Sequence, residues 1–286
     1  MWHLLLSVAC STFIFLVFKL YPVYKVNTFY AIVTNYWVAF AVGWYYYNGE
    51  LGFTEVFSMP WFPYTLALGV LFISIFNLMA KTSQTVGVSV ASVATKMSLV
   101  IPVVLAVWLY KEQMGILRFT GILLALAAVY FASIKESKSG FSYKMLVWPV
   151  LVFLGSGAID ASLQYFENNM VAKTDLPVFS ATIFGAAGCT GLLIMGYKLF
   201  RNATLPKVKD GLGGLALGVP NFFSIFFLLK ALGGFEETSV VFTVNNVAIV
   251  MVTTLLGIVL FQEKLSTKNW IGISMAVISI VMVAYF

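Results

Sequence analysis

Lys96 and Asp160 are the residues of this chain whose chemistry most needs explaining. Each is an ionisable side chain set deep in a long apolar run, and a charge at the centre of a bilayer costs at least about 2.5–3.5 kcal/mol on insertion scales. Such a group needs a partner, a water-filled cavity or a role. Their polar neighbours keep helical spacing: Ser89, Ser92 and Lys96 recur at threes and fours, and Ser156, Asp160, Gln164 and Asn168 at fours. Each set therefore shares one face of a helix, and the two faces could line one aqueous cavity. In a functional reading Lys96 meets an anionic group of a small-molecule substrate, and Asp160 carries a proton or an amine in coupling or gating. In a structural reading the two form a buried ion pair. A bridge that breaks during a working cycle satisfies both.

Other polar groups inside apolar runs extend the substrate-binding set to Asn245, Asn246, Asn77, Asn221, Gln164, Asn35 and Trp37. Asparagine offers donors and acceptors suited to a hydroxyl, amide or carboxylate, although polar side chains also join helices to one another in lipid. Pro220 beside Asn221 is expected to break its helix and free backbone groups for a ligand. Tyr36 and Trp37 could stack on a planar or cationic solute, against the commoner use of such aromatics as interfacial anchors. Glu112 and Glu263 close their apolar runs and are expected to cap helices or lock two parts together. Glu167 is expected near a solvated helix end. His3 is the sole histidine, and Cys10 and Cys189 are the two cysteines, both inside apolar runs. No catalytic constellation, metal site or cofactor is therefore expected, and no phosphate-cradling glycine loop points to a primary pump.

The elements that must hold these groups follow from composition. Of 286 residues 61% are hydrophobic and 10% charged, against about 25% charged in soluble chains. A soluble fold of this size could not hide so much apolar surface, so the partner is a lipid bilayer. The net charge of +6 comes from bases scattered between apolar runs rather than from a patch that would bind nucleic acid. Crossing the hydrocarbon core takes about 20 apolar residues. Ten segments qualify: 2–20, 28–47, 61–81, 85–110, 115–134, 144–170, 177–200, 212–232, 238–261 and 268–286. The first has no basic leader and is expected to be a retained helix rather than a signal peptide.

The sequence repeats itself. Leu66-Ala67-Leu68-Gly69-Val70 recurs as Leu215-Ala216-Leu217-Gly218-Val219, with Lys81 matching Lys230. After a two-residue shift, 87–135 lies on 238–286 without a gap, placing Glu112 on Glu263 and Gly121 on Gly272. The expected fold is all-α integral membrane, ten transmembrane helices as a 5+5 inverted repeat: 1–135, a linker at 136–143, then 144–286. An odd number of spans inverts the second copy, an arrangement characteristic of secondary transporters.

Pro102 followed by Trp108-Leu109-Tyr110-Lys111-Glu112 and Gly121, and Leu260-Phe261-Gln262-Glu263-Lys264-Leu265 with Trp270-Ile271-Gly272, resemble the helix junctions of the drug/metabolite transporter superfamily, specifically its EamA-like ten-helix members. The resemblance covers essentially the whole chain. It implies alternating-access transport or export of a small organic metabolite by exchange, ion coupling or facilitated flux, from a monomer or homodimer in the cytoplasmic membrane of a prokaryote. Thr253 stands where a second proline matching Pro102 is expected, and Lys96 is an unusual charge for its place. A membrane-embedded enzyme or a channel is the alternative; the first lacks converging acids and bases, and the second would favour repeated polar rings along a pore. Bases crowd the odd-numbered connections (Lys19, Lys25, Lys138, Lys198, Arg201, Lys207, Lys209, Lys264), which by the positive-inside rule puts both termini outside. The resemblance implies the reverse.

Overall fold

The computed structural model describes residues 2–47, 49, 51–110, 115–134, 143–201, 204–232 and 238–285. These residues form eleven α-helices: α1 (Trp2–Leu20), α2 (Thr28–Tyr45), α3 (Phe62–Thr85), α4 (Val88–Met97), α5 (Val100–Tyr110), α6 (Ile116–Ser133), α7 (Tyr143–Asn169), α8 (Leu176–Phe200), α9 (Val208–Leu232), α10 (Thr238–Phe261) and α11 (Thr267–Tyr285). Short 3₁₀ turns lie at Glu55–Ser58 and Lys173–Asp175, and no strand occurs among the described residues. Helices satisfy every interior backbone group within their own segment, which is what a lipid solvent demands. Among the described residues eight helical stretches are long and apolar enough to cross a membrane, the make-up of a multi-pass membrane protein. The ten apolar segments reappear as these eleven helices, and the fourth is the one divided. α4 ends at Met97 and α5 begins at Val100, because Pro102 has no N–H for the Ser98 carbonyl and its ring crowds that oxygen. The apolar stretch Val88–Leu105 still has the length of a span.

Local chemistry sets several helix ends. Asn27 caps α2, its Oδ1 accepting from the N–H of Phe29 (3.1 Å) and Tyr30 (3.3 Å). α11 begins in a reciprocal box in which Asn269 Oδ1 accepts from Ser266 N (2.9 Å) and Ser266 Oγ accepts from Asn269 N (3.3 Å). α10 closes with Gln262 in the left-handed region (φ 51°), so that Glu263 N–H returns to Gly257 O at 3.1 Å.

The chain forms two compact units, each taking segments from both sides of 136–143. The first comprises Met1–Lys19, Leu78–Asp160 and Phe223–Phe286, the second Leu20–Asn77 and Ala161–Phe222. In the first, α6 and α11 run antiparallel. A Cβ on Gly121, early in α6, would stand 2.9 Å from Val283 Cγ2 late in α11, while Gly272, early in α11, lies against the backbone of Ala132 late in α6. α4 and α10 are antiparallel too, since Glu263 just past α10 meets the first turn of α4. Val93, Met97, Ile122, Phe153, Val250 and Ile280 pack the core between these elements. In the second unit α2 and α8 are antiparallel: Lys198 Nζ lies 3.8 Å above the Phe29 ring at one end, and Tyr47 OH reaches Asp175 Oδ1 at 3.5 Å at the other. The glycines of the repeated pentapeptide mark close approaches here. A Cβ on Gly69 would come within 2.6 Å of Ala187 N, and one on Gly218 within 2.8 Å of Asn35 O, so any larger residue would push the backbones apart.

Candidate functional site

In the first unit the break between α4 and α5 gathers the charged candidates. Lys96 stands one residue from the end of α4 and is half-buried, while Asp160 on α7 keeps an exposed side chain. The fully buried Ser98 hydroxyl lies 3.0 Å from Asp160 Oδ2 and 2.6 Å from Thr95 O. A hydroxyl has one proton to give, so Ser98 serves either the carboxylate or the loose end of α4. Lys96 stands two residues before the Ser98 that meets Asp160. Among the described residues, however, the ion pair within 4 Å joins Lys19 to Glu263 at 3.6 Å. The two midspan charges thus share a neighbourhood without a direct contact.

The serines sharing the Lys96 face are used in packing. Ser92 Oγ lies 2.7 Å from Thr253 Oγ1 on α10, with both residues fully buried. Ser89 Oγ donates to Glu263 Oε2 at 3.0 Å, and Glu263 Oε1 accepts from Val88 N–H at 2.7 Å. Glu263 therefore caps the positive end of α4, where a carboxylate is electrostatically favoured. Two glycines leave room for it. Gly87 has φ 153°, and a Cβ on Gly257 would stand 2.8 Å from Glu263 Oε2. Asn245 on α10 is 2% exposed and its Oδ1 has no hydrogen-bond partner among the described residues; Asn246 is half-buried.

In the second unit, Asn35 Oδ1 accepts from Asn221 Nδ2 at 3.2 Å. Asn35 Nδ2, Tyr36 OH and Trp37 Nε1, from three successive residues of α2, are buried with no hydrogen-bond partner among the described residues. Tyr36 sits between Phe76 and Phe184, with ring centroids 5.4 and 6.1 Å away, and Trp37 lies against Gly188 of α8. Asn77 turns back to donate to Ile73 O of its own helix at 2.7 Å, and Gln164 is exposed on α7. α9 runs unbroken through Pro220, so the expected helix break beside Asn221 does not occur. Glu112 and the side chains of Glu167 and Asn168 lie outside the described residues. Ser98 and Thr253 are not among the residues that the sequence singles out for a site. Ser98 falls off the 89/92/96 face, and its signal is its place four residues before Pro102.

No protein-family model matches the chain. It is similar to an uncharacterized protein of Haemophilus influenzae, 27% identical over 292 residues that span 100% of this chain and 98% of that one. A solved crystal structure resembles it with a TM-score of 0.61 at 16% identity, covering 98% of both chains, and at that identity the likeness is one of fold.

Proposed function

We propose that this chain is a secondary transporter that moves a small organic metabolite by alternating access, built as an inverted duplication of the EamA-like kind within the drug/metabolite transporter superfamily, in a prokaryotic cytoplasmic membrane. The observation that carries the proposal is the broken fourth span, with Lys96 before the break and the Ser98–Asp160 contact at it. Interrupted helices with polar groups at the bilayer midplane are where such transporters bind substrate. Further support comes from three pairs of segments equivalent under the 1–135 and 144–286 division, α2 with α8, α4 with α10 and α6 with α11, each of which packs antiparallel.

Lys96 is the group for an anionic moiety of the solute, since among the described residues no carboxylate lies within 4 Å of its ammonium and such a cation forms strong hydrogen bonds to an anion. Asp160 exchanges a proton. When ionised it accepts from Ser98 Oγ; when protonated it donates to that oxygen and lets Ser98 turn wholly to Thr95 O, tightening the break. In the first unit Asn245 Oδ1, which has no hydrogen-bond partner among the described residues, is a polar atom that a solute would pair, since a buried group without a partner costs about 1–3 kcal/mol. Glu263 is a latch on α4. The start of α2 and the end of α8 share the end of the second unit that carries Lys25, Lys198, Arg201, Lys207 and Lys209, which the positive-inside rule puts in the cytoplasm, with both termini outside.

The test is reconstitution of the purified chain in liposomes loaded with a panel of labelled amino acids, organic acids, nucleosides and sugar phosphates. Saturable efflux of at least one solute, accelerated by unlabelled solute or a proton gradient on the far side, is the expected result. No movement of any solute above protein-free liposomes would remove the transporter reading.

A further inference from the structure

At the basic end of the second unit lies a half-open cavity of about 300 Å³ whose lining includes Lys25, Asn27, Leu205, Lys207, Lys209 and Asp210. We infer that this cavity binds a phosphate-bearing anion at the membrane surface, a role separate from transport and independent of it. Three lysines and one aspartate line it, and the aspartate is already spent. Asp210 is 3% exposed, and its two oxygens accept from Asn27 N–H at 2.7 Å and Lys207 N–H at 2.8 Å. Its charge is therefore turned into the wall, and the lysines set the sign of the cavity.

The walls are built rather than incidental. Tyr21 OH donates to Gly213 O at 2.9 Å, and Tyr30 OH donates to Thr204 O at 2.8 Å. With the Asp210 clamp, these bonds stitch the α1–α2 turn and the start of α2 to Thr204 and the start of α9. Lys209 Nζ is held 3.4 Å from Tyr24 O. Lys25 has φ 53°, a left-handed conformation that disfavours any residue with a Cβ. Residues held in such conformations cluster at functional sites, and Lys25 lines the cavity. Leu205 of the lining is 74% exposed, and Val208, between Lys207 and Lys209 in the chain, and Val23, two residues before Lys25, are 83% and 68% exposed, so exposed apolar groups accompany the lysines. Cations accompanied by exposed apolar groups suit a phosphodiester headgroup whose acyl chains remain in the bilayer; the phosphate of a soluble anion would use the same lysines.

The experiment uses the full chain in detergent. Native mass spectrometry follows one-to-one retention of dioleoylphosphatidylglycerol against dioleoylphosphatidylcholine, and calorimetric titration follows inorganic phosphate. A lipid source predicts preferential retention of the anionic lipid; a soluble source predicts saturable phosphate binding without lipid preference. In either case the combined variant Lys25→Gln, Lys207→Gln, Lys209→Gln lowers affinity at least tenfold, while Lys81→Gln, an exposed lysine of α3, leaves it unchanged. Lys25→Gly serves as a second variant that cannot be dismissed as misfolded, because it relaxes the turn: it is expected to raise the melting temperature while weakening binding. Saturable binding of neither probe, or equal affinity in the combined variant and the parent, would overturn the inference. So would weakening by Lys81→Gln as strong as that by the combined variant.

Discussion

Removing the Glu263 carboxylate separates a structural cap from an ornamental surface charge. Glu263→Ala deletes two short bonds to an ionised acceptor, from Val88 N–H (2.7 Å) and Ser89 Oγ (3.0 Å). Each is worth about 1.5–3 kcal/mol when the alternative is a buried unpaired group, and Val88 is fully buried. The 3.4 Å approach of Ser89 N and the 3.6 Å pair with Lys19, whose side chain is 23% exposed, add little. The expected loss is about 3–5 kcal/mol. Glu263→Gln keeps an acceptor and forfeits mainly charge at a helix N-terminus, about 1–2 kcal/mol. Gly257→Ala places a methyl 2.8 Å from Glu263 Oε2, so it should destabilise the parent strongly and the Glu263→Ala background much less, a coupling of about 1–3 kcal/mol. Equilibrium unfolding in mixed micelles reads the parent and its four variants. Losses below about 1 kcal/mol for Glu263→Ala, or additive effects of the two substitutions, would refute the cap.

Two further predictions rest on single contacts. Pro102→Ala supplies the helical N–H that Pro102 withholds from the Ser98 carbonyl, which accepts from Ile101 N–H at 2.9 Å instead, so it should stabilise α4–α5 by roughly 1–3 kcal/mol and raise the melting temperature; a lower melting temperature would show that the break has another cause. Asn269→Ala removes donors to Ala132 O (2.8 Å) and Ile134 O (2.7 Å) together with the Ser266 box, and should cost about 2–4 kcal/mol, measured by the same unfolding assay, whereas a surface residue would cost under about 0.5 kcal/mol.

Helix positions were legible because the spans are separated by short polar turns, and capping residues such as Asn27 and Ser266 sit where such residues are expected. Glu263 could be singled out because Gln262-Glu263-Lys264 matches Lys111-Glu112-Gln113 at the close of an apolar run. The break at Ser98 was hidden, since hydropathy continues across it and Pro102 shows a missing donor without saying whether the helix bends or parts; α9 passes through Pro220 intact. The Asn35–Asn221 bond was illegible for a different reason. It depends on the register of α2 against α9, set by the close approach at Gly218, and a one-dimensional pattern does not carry that register. Ser89 and Ser92 shared the Lys96 face as expected from spacing, but bond Glu263 and Thr253 instead of lining a cavity.

The claim that the α4–α5 break is the working centre is tested most directly by counterflow of a transported solute in liposomes bearing the parent, Lys96→Ala, Asp160→Asn or Lys230→Gln. Loss of at least tenfold in initial rate for Lys96→Ala and Asp160→Asn at equal insertion, with Lys230→Gln near parental, is predicted. Parental rates in both midspan variants would contradict it.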